Sequence, residues 1–149
     1  MPRVFRTMQS KGSQPLCGDD FSQLGVTVYP HESPDVTPDG EGYVQPLMGG
    51  MSVFAAIKKL PGRLIPLRLR TLFPEDFQKA SGDDDLTIWC LDKEYSHSDM
   101  ITNELVLSWD SAAPYRHGSI GPLSRMKIDD LQTEICSTAI RWVICEVPE

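Results

Sequence analysis

The chain has no stretch approaching the roughly 18 consecutive apolar residues that a membrane span needs, and its first residues, MPRVFRTMQSKG, contain no apolar core of a secretory signal. No membrane association and a cytoplasmic setting are therefore expected. It also lacks a basic excess. Fourteen Lys and Arg stand against twenty-one Asp and Glu, for a formal net charge of −7. Binding to nucleic acid, which requires a basic face to neutralise phosphates, is not expected. The four cysteines, at 17, 90, 136 and 145, contain no pair separated by two residues, so zinc-ribbon and thioredoxin spacings are absent and no metal site is expected. Cys90 in LTIWCL and Cys136 in an apolar helical pattern read as small buried hydrophobes. Reduced thiols are the expectation without a signal sequence. The P-loop, G-x-G-x-x-G, H-E-x-x-H and G-x-S-x-G patterns are missing as well, which removes the common NTPase, dinucleotide-fold, zinc-protease and α/β-hydrolase readings.

What remains is ordinary globular composition. Of 149 residues, 40% are hydrophobic and 23% charged, enough for one domain with its own core. The charge is lopsided. Residues 1–70 carry eight basic and six acidic residues, a balance of +2, whereas residues 71–149 carry six basic and fifteen acidic, a balance of −9. A basic half in an acidic chain suits a small anion better than a polyanion.

The patterning predicts strands at Arg3–Met8, Val26–Tyr29, Leu86–Leu91, Glu104–Trp109 and Arg116–Ile120. Leu64–Leu69 is a further strand candidate, placed at an edge or bulge by Pro66. Pro74–Lys79 reads as a helical turn. Over Met51–Leu60 the apolar residues Val53, Phe54, Ile57 and Leu60 fit one helical face, with Ser52 as N-cap and Pro61-Gly62 as the stop. Over Met126–Val143 the residues Ile128, Leu131, Ile135, Ala139 and Trp142 predict an amphipathic helix, with Asp129 and Asp130 near its start. The segment from His31 to Gly50, rich in Pro and Gly but holding Tyr43, Val44, Leu47 and Met48, predicts an ordered functional loop. Strands and helices do not alternate, so the expected class is α+β: one compact domain over 1–149, with a mixed β-sheet core and few helices.

Several residues could carry chemistry. Gly49-Gly50 before Ser52 would let backbone approach an anion at a helix N-terminus, with Lys58, Lys59, Arg63, Arg68 and Arg70 following. Arg6 lies in an apolar strand, and faces either solvent or a cleft. His117 sits beside a glycine and can present both ring nitrogens. His31 and His97 lie in polar loops and read as surface. Ser52 and His117 also form the elements of a nucleophile–base pair, for which spacing supplies no orienting carboxylate. Gln132-Thr133-Glu134 is a Gln-x-Glu triplet within the predicted helix, and Glu146 ends an apolar run.

Three blocks, in order, resemble a known family. They are aromatic-Arg at the first strand (Phe5-Arg6), PDVTPDGEGYVQPLMGGMSVF from Pro34 to Phe54, and HGSIGPLSRM from His117 to Met126. Together they resemble the type VI secretion exported effector-two toxins, whose fold is that of ADP-ribosyltransferases. The blocks span about a third of the chain, leaving roughly residues 64–110 without a sharp match. Where the family carries a hydroxyl residue, an acid and a tyrosine, this chain has Met51, Ala55 and Gly118. The resemblance implies NAD as substrate, bound through Arg6, Gly49, Gly50 and Ser52, with Ser52 and His117 at the catalytic position. Tyr43, Phe54 and Tyr115 are candidate walls for nicotinamide. It implies a cytotoxic transferase delivered to a target cell's cytoplasm and neutralised by an immunity protein in the producing cell. It assigns no catalytic glutamate. The alternative is an inactive scaffold of the same fold that binds a protein.

Overall fold

The computed structural model describes residues 2–28 and 33–148. The predicted His31 and Tyr29 positions lie outside these. The elements run β1 (Arg3–Met8), β2 (Ser10–Lys11), β3 (Gln14–Pro15), β4 (Tyr43–Val44), β5 (Met51–Phe54), α1 (Leu67–Leu72), β6 (Thr87–Glu94), β7 (Leu105–Trp109), β8 (His117–Pro122), β9 (Met126–Lys127), α2 (Ile128–Cys136) and β10 (Trp142–Ile144). Short 3₁₀ turns lie at Ile57–Lys59, Gly62–Leu64 and Ala139–Arg141. Six strands form the main sheet in the order β10-β6-β1-β5-β8-β7. Every pairing in it is antiparallel. The α+β class is as expected, with a sheet antiparallel throughout. Among the described residues no helix is long and apolar enough to cross a membrane.

Alternation along β1 explains the layers. Val4 and Met8 join one apolar cluster, which includes Val53, Trp89, Leu107, Leu131, Ile135 and Trp142 and is roofed by α2. Phe5 joins the other, with Ile57, Leu60, Ile65, Leu69, Phe77 and Ile88, roofed by α1 and the 3₁₀ turns. A strand buried on both faces reads as a continuous apolar run, and residues 88–91 on β6 are such a run, whereas β1 buries Arg6 and Thr7 among its apolar residues. The second cluster lies against β1 and β6, with Phe54 of β5 packed at its margin. On β5, β8 and β7 one face packs inward through Met51, Val53, Ile120, Leu107 and Trp109. The opposite face carries Ser52, Phe54, His117, Ser119 and Ser108, none of them fully buried. That half-face is a polar stretch of sheet, and the candidate site lies on it.

Several local expectations are corrected. Met51–Phe54 is a strand, not the start of a helix, so Ser52 is not an N-cap. Its burial alternates with period two. The helical match came from joining this strand to the separate turn at Ile57–Lys59. Leu67–Leu72 is helical rather than extended, with Pro66 immediately before its first turn, where the missing N–H is harmless. The expected helix over Met126–Val143 is α2 flanked by β9 and β10, its period carried on by the turn at Ala139–Arg141. Val26 and Val28 lie in irregular chain. Finally, Cys17 and Cys136 are joined in a disulfide, so the expected reduced Cys136 is corrected as well. The bond pins the loop after β3 to the end of α2.

Candidate active-site cleft

β1 and β5 meet in register at Phe5↔Phe54. Beyond that point the Arg6 side chain spans the gap between them. Its Nη1 donates to the Ser52 carbonyl at 2.7 Å, Nε and Nη2 donate to the Gln23 carbonyl at 3.2 and 2.7 Å, and Nη2 also donates to the Phe21 carbonyl at 3.1 Å. Gly25 O lies 3.5 Å away. Arg6 is thus a buried strut tying β1, β5 and the loop over residues 21–25, rather than a surface arginine. Burial draws its guanidinium down to about 10, with the charge of Asp35 opposing the fall.

Between the strands lies a cleft of about 510 Å³, lined by Arg6, Ser52, Phe54, Arg63 and Asp35, with Phe21 and Leu64 as further apolar wall. Thr7 Oγ1 donates to the Leu64 carbonyl at 2.6 Å, which holds the Gly62–Leu64 turn over the opening and sets the exposed Arg63 at its rim. Of the aromatic walls anticipated, Phe54 lines the cleft. Tyr43 instead lies under the Arg125 guanidinium, 3.6 Å from the ring centre, and Tyr115 stacks on Trp109.

Asp35 is the carboxylate that sequence reasoning missed. Its Oδ2 accepts from the Thr27 amide at 2.9 Å, while its own amide donates to Thr27 Oγ1 at 2.8 Å. Burial lifts its pKa above the usual carboxylate value, and the Thr27 amide and the Arg6 charge pull the other way. It lies inside the Pro34-Asp35-Val36 block, so the signal was present in the text.

Gly49 and Gly50 have a different task from the anion cradle expected of them. Gly49 has φ +104°, and a Cβ there would fall 2.2 Å from the Asp35 carbonyl. The bridge Val36↔Gly49 depends on that close approach and brings Asp35 to the cleft. A Cβ on Gly50 would fall 2.4 Å from the Ile120 carbonyl. Neither glycine lines the cleft, and with no helix start at Ser52 there is no helix N-terminus for an anion there.

Ser52 and His117 are brought together. In the antiparallel register Phe54 faces His117 and Ser52 faces Ser119. Ser52 Oγ lies 2.5 Å from His117 Nε2, and Asp110 Oδ2 meets His117 Nδ1. The Phe54 ring sits edge-on to the imidazole at 5.1 Å. Asp110 follows β7 directly, and alternation from Val106 through Ser108 puts it on the polar face. Its position was therefore readable once β7 and β8 were paired.

No family model matches the chain, and no curated protein matches it in sequence. Other candidates leave the site. Gln132 holds the Val26 backbone at both ends, accepting from its amide at 2.9 Å and donating to its carbonyl at 2.7 Å. The Gln132–Glu134 triplet is on α2 and does not line the cleft. Glu146 accepts both Nη groups of Arg68, at 2.9 and 2.8 Å. His97 is exposed, its Nδ1 accepting from the Trp109 amide. Gly118, where the resembling family has tyrosine, faces Trp109. A Cβ there would lie 2.6 Å from the indole, so this core excludes the larger residue.

Proposed function

We propose that the chain is an ADP-ribosyltransferase-like domain that binds NAD in the β1–β5 cleft and cleaves its nicotinamide–ribose bond. The observation that carries this reading is the convergence of Arg6, Ser52 and Phe54, from two separate strands, on one cleft with Asp35 and Arg63. The volume suits a ligand of this size, since such sites usually run from about 300 to 1,000 Å³. The motif order from Phe5-Arg6 to His117–Met126 supports it independently.

The roles follow from chemistry. Arg63 at the rim and the Arg6 charge below favour the pyrophosphate. Phe54 offers nicotinamide an aromatic face. Asp35, the one carboxylate lining the cleft among the described residues, would face the positive charge that grows at the ribose carbon as nicotinamide leaves. Ser52 on the cleft wall, with His117 hydrogen-bonded behind it, would meet an acceptor hydroxyl or water. In this reading the chain is a toxin, delivered by a type VI secretion apparatus to a target cell's cytoplasm and held in check by an immunity protein.

A second reading keeps the fold and drops the reaction: a protein-binding module. It is favoured by one observation, the commitment of Arg6 to backbone carbonyls. Chromatography of NAD incubated with the protein separates the two. Released nicotinamide, cut about tenfold or more in Asp35→Asn, supports the transferase. A folded protein that neither releases nicotinamide nor binds NAD supports the module and overturns the transferase.

A further inference from the structure

The polar half-face of the sheet holds an arrangement that glycosyl transfer does not require. Three side chains form a chain of hydrogen bonds: Ser52 on β5, His117 on β8, and Asp110 immediately after β7. We propose that Ser52 is a nucleophile activated by this relay, and that the cleft hydrolyses carboxylic esters through an acyl-serine intermediate. This activity goes beyond NAD cleavage and stands without it.

The geometry fixes the roles. Asp110 beside Nδ1 selects the tautomer with its proton there, which leaves the Nε2 lone pair facing the Ser52 hydroxyl at 2.5 Å. A nucleophile, a base within hydrogen-bond reach and a carboxylate orienting the base are the parts that activate a serine. Ser52 and His117 are held by the sheet, and Asp110 is the first residue after β7. The Asp110 amide donates to the His117 carbonyl at 3.0 Å, so the carboxylate is tied to the residue it orients. Phe54 against the imidazole edge limits ring rotation. His117 and Asp110 side chains are 40% and 60% exposed, so water reaches the base for the second half of the reaction.

Ser52 lines the cleft, and with it Phe21, Phe54 and Leu64 give an apolar surface suited to an aliphatic or aromatic acyl group. Arg6 lies at the same floor. Its Nη1 donates one hydrogen to the Ser52 carbonyl, and among the described residues no acceptor is paired with the second. That N–H is the donor available to the oxygen that becomes negative in the tetrahedral intermediate.

The step balances. Ser52 Oγ attacks the ester carbonyl carbon and its proton passes to His117 Nε2. The carbon–oxygen bond to the alcohol breaks, and the alkoxide takes that proton and leaves as the alcohol. Water then attacks the acyl-serine, giving its proton to His117. The acyl–Oγ bond breaks, the carboxylic acid leaves, and His117 returns a proton to Ser52.

The test uses an alkyl fluorophosphonate and p-nitrophenyl butyrate on the whole chain. Peptide mass analysis is expected to find the phosphonyl group on Ser52, and ester turnover to be lost in Ser52→Ala. His117→Ala should slow labelling by about a hundredfold or more. Asp110 is a positioning residue. Asp110→Asn should lower the maximal labelling rate while leaving the half-saturating probe concentration unchanged, a split that a merely structural role would not produce. Wild type with a native circular dichroism spectrum and no label on Ser52 overturns the proposal, whether or not any variant folds. So does labelling of Ser52 that survives His117→Ala. Nicotinamide release without labelling would leave the transferase standing and remove this activity. Labelling without NAD binding would do the reverse.

Discussion

Replacing Arg6 with methionine keeps the volume of the side chain and removes every donor. In the wild type the guanidinium makes four hydrogen bonds of 3.2 Å or less to backbone carbonyls of Phe21, Gln23 and Ser52. Bonds with one charged partner contribute about 1.5 kcal/mol each at the low end, or about 6 kcal/mol together. Against this stands the cost of burying the charge. A guanidinium drawn down by burial to about 10 has lost about 3 kcal/mol relative to the solvated state. The strut therefore contributes about 3 kcal/mol net, and Arg6→Met should lose that amount. In a chain of 149 residues this lowers the melting temperature by about 6–12 °C. Thermal melts with a urea titration at neutral pH measure both quantities. An unchanged or raised melting temperature would refute the reasoning, because it would mean that the carbonyls are satisfied without the arginine. In that case Arg6 would be held for ligand rather than for structure.

Three further outcomes follow from neighbouring features. The folded Asp35 carboxyl titrates above its ordinary 3.8, so the stability it contributes is full below that value and is lost as pH rises through the folded one. Asp35→Asn should therefore melt higher than wild type at pH 7, with the difference closing towards pH 4 in a series of thermal melts. Gly49→Ala would force a Cβ to within 2.2 Å of the Asp35 carbonyl at φ +104°, and should cost about 2 kcal/mol or more in urea denaturation. The Cys17–Cys136 disulfide closes a sequence separation of 119 residues, so the double Cys→Ser variant should lose up to about 4–5 kcal/mol, and added reductant should destabilise wild type but not the variant.

The strands legible in the sequence were those buried on both faces or strictly alternating: β1, β6, β7 and β8. β5 was not, because a four-residue strand shows only two periods of alternation and a turn followed within helical distance. The same limit stretched α2 across a turn into β10. The blocks around Arg6, Ser52 and His117 fall on the neighbouring strands β1, β5 and β8. Their partners were hidden by distance along the chain. Asp110 reaches His117 only through the β7–β8 register, and Asp35 reaches the cleft only through the Val36↔Gly49 bridge. Cys17 and Cys136 had no spacing signature at all. The tasks of the glycines were likewise set by the opposing backbone, at Asp35 and Ile120, which no local pattern reports.

The account stands most directly on whether the β1–β5 cleft takes NAD. Isothermal calorimetry of NAD into wild type, beside Phe54→Ala, measures this. Saturable one-site binding in the micromolar range, weakened about tenfold when the ring of Phe54 is removed, is the predicted result. No heat of binding from a wild-type chain shown by its circular dichroism to be folded would contradict it.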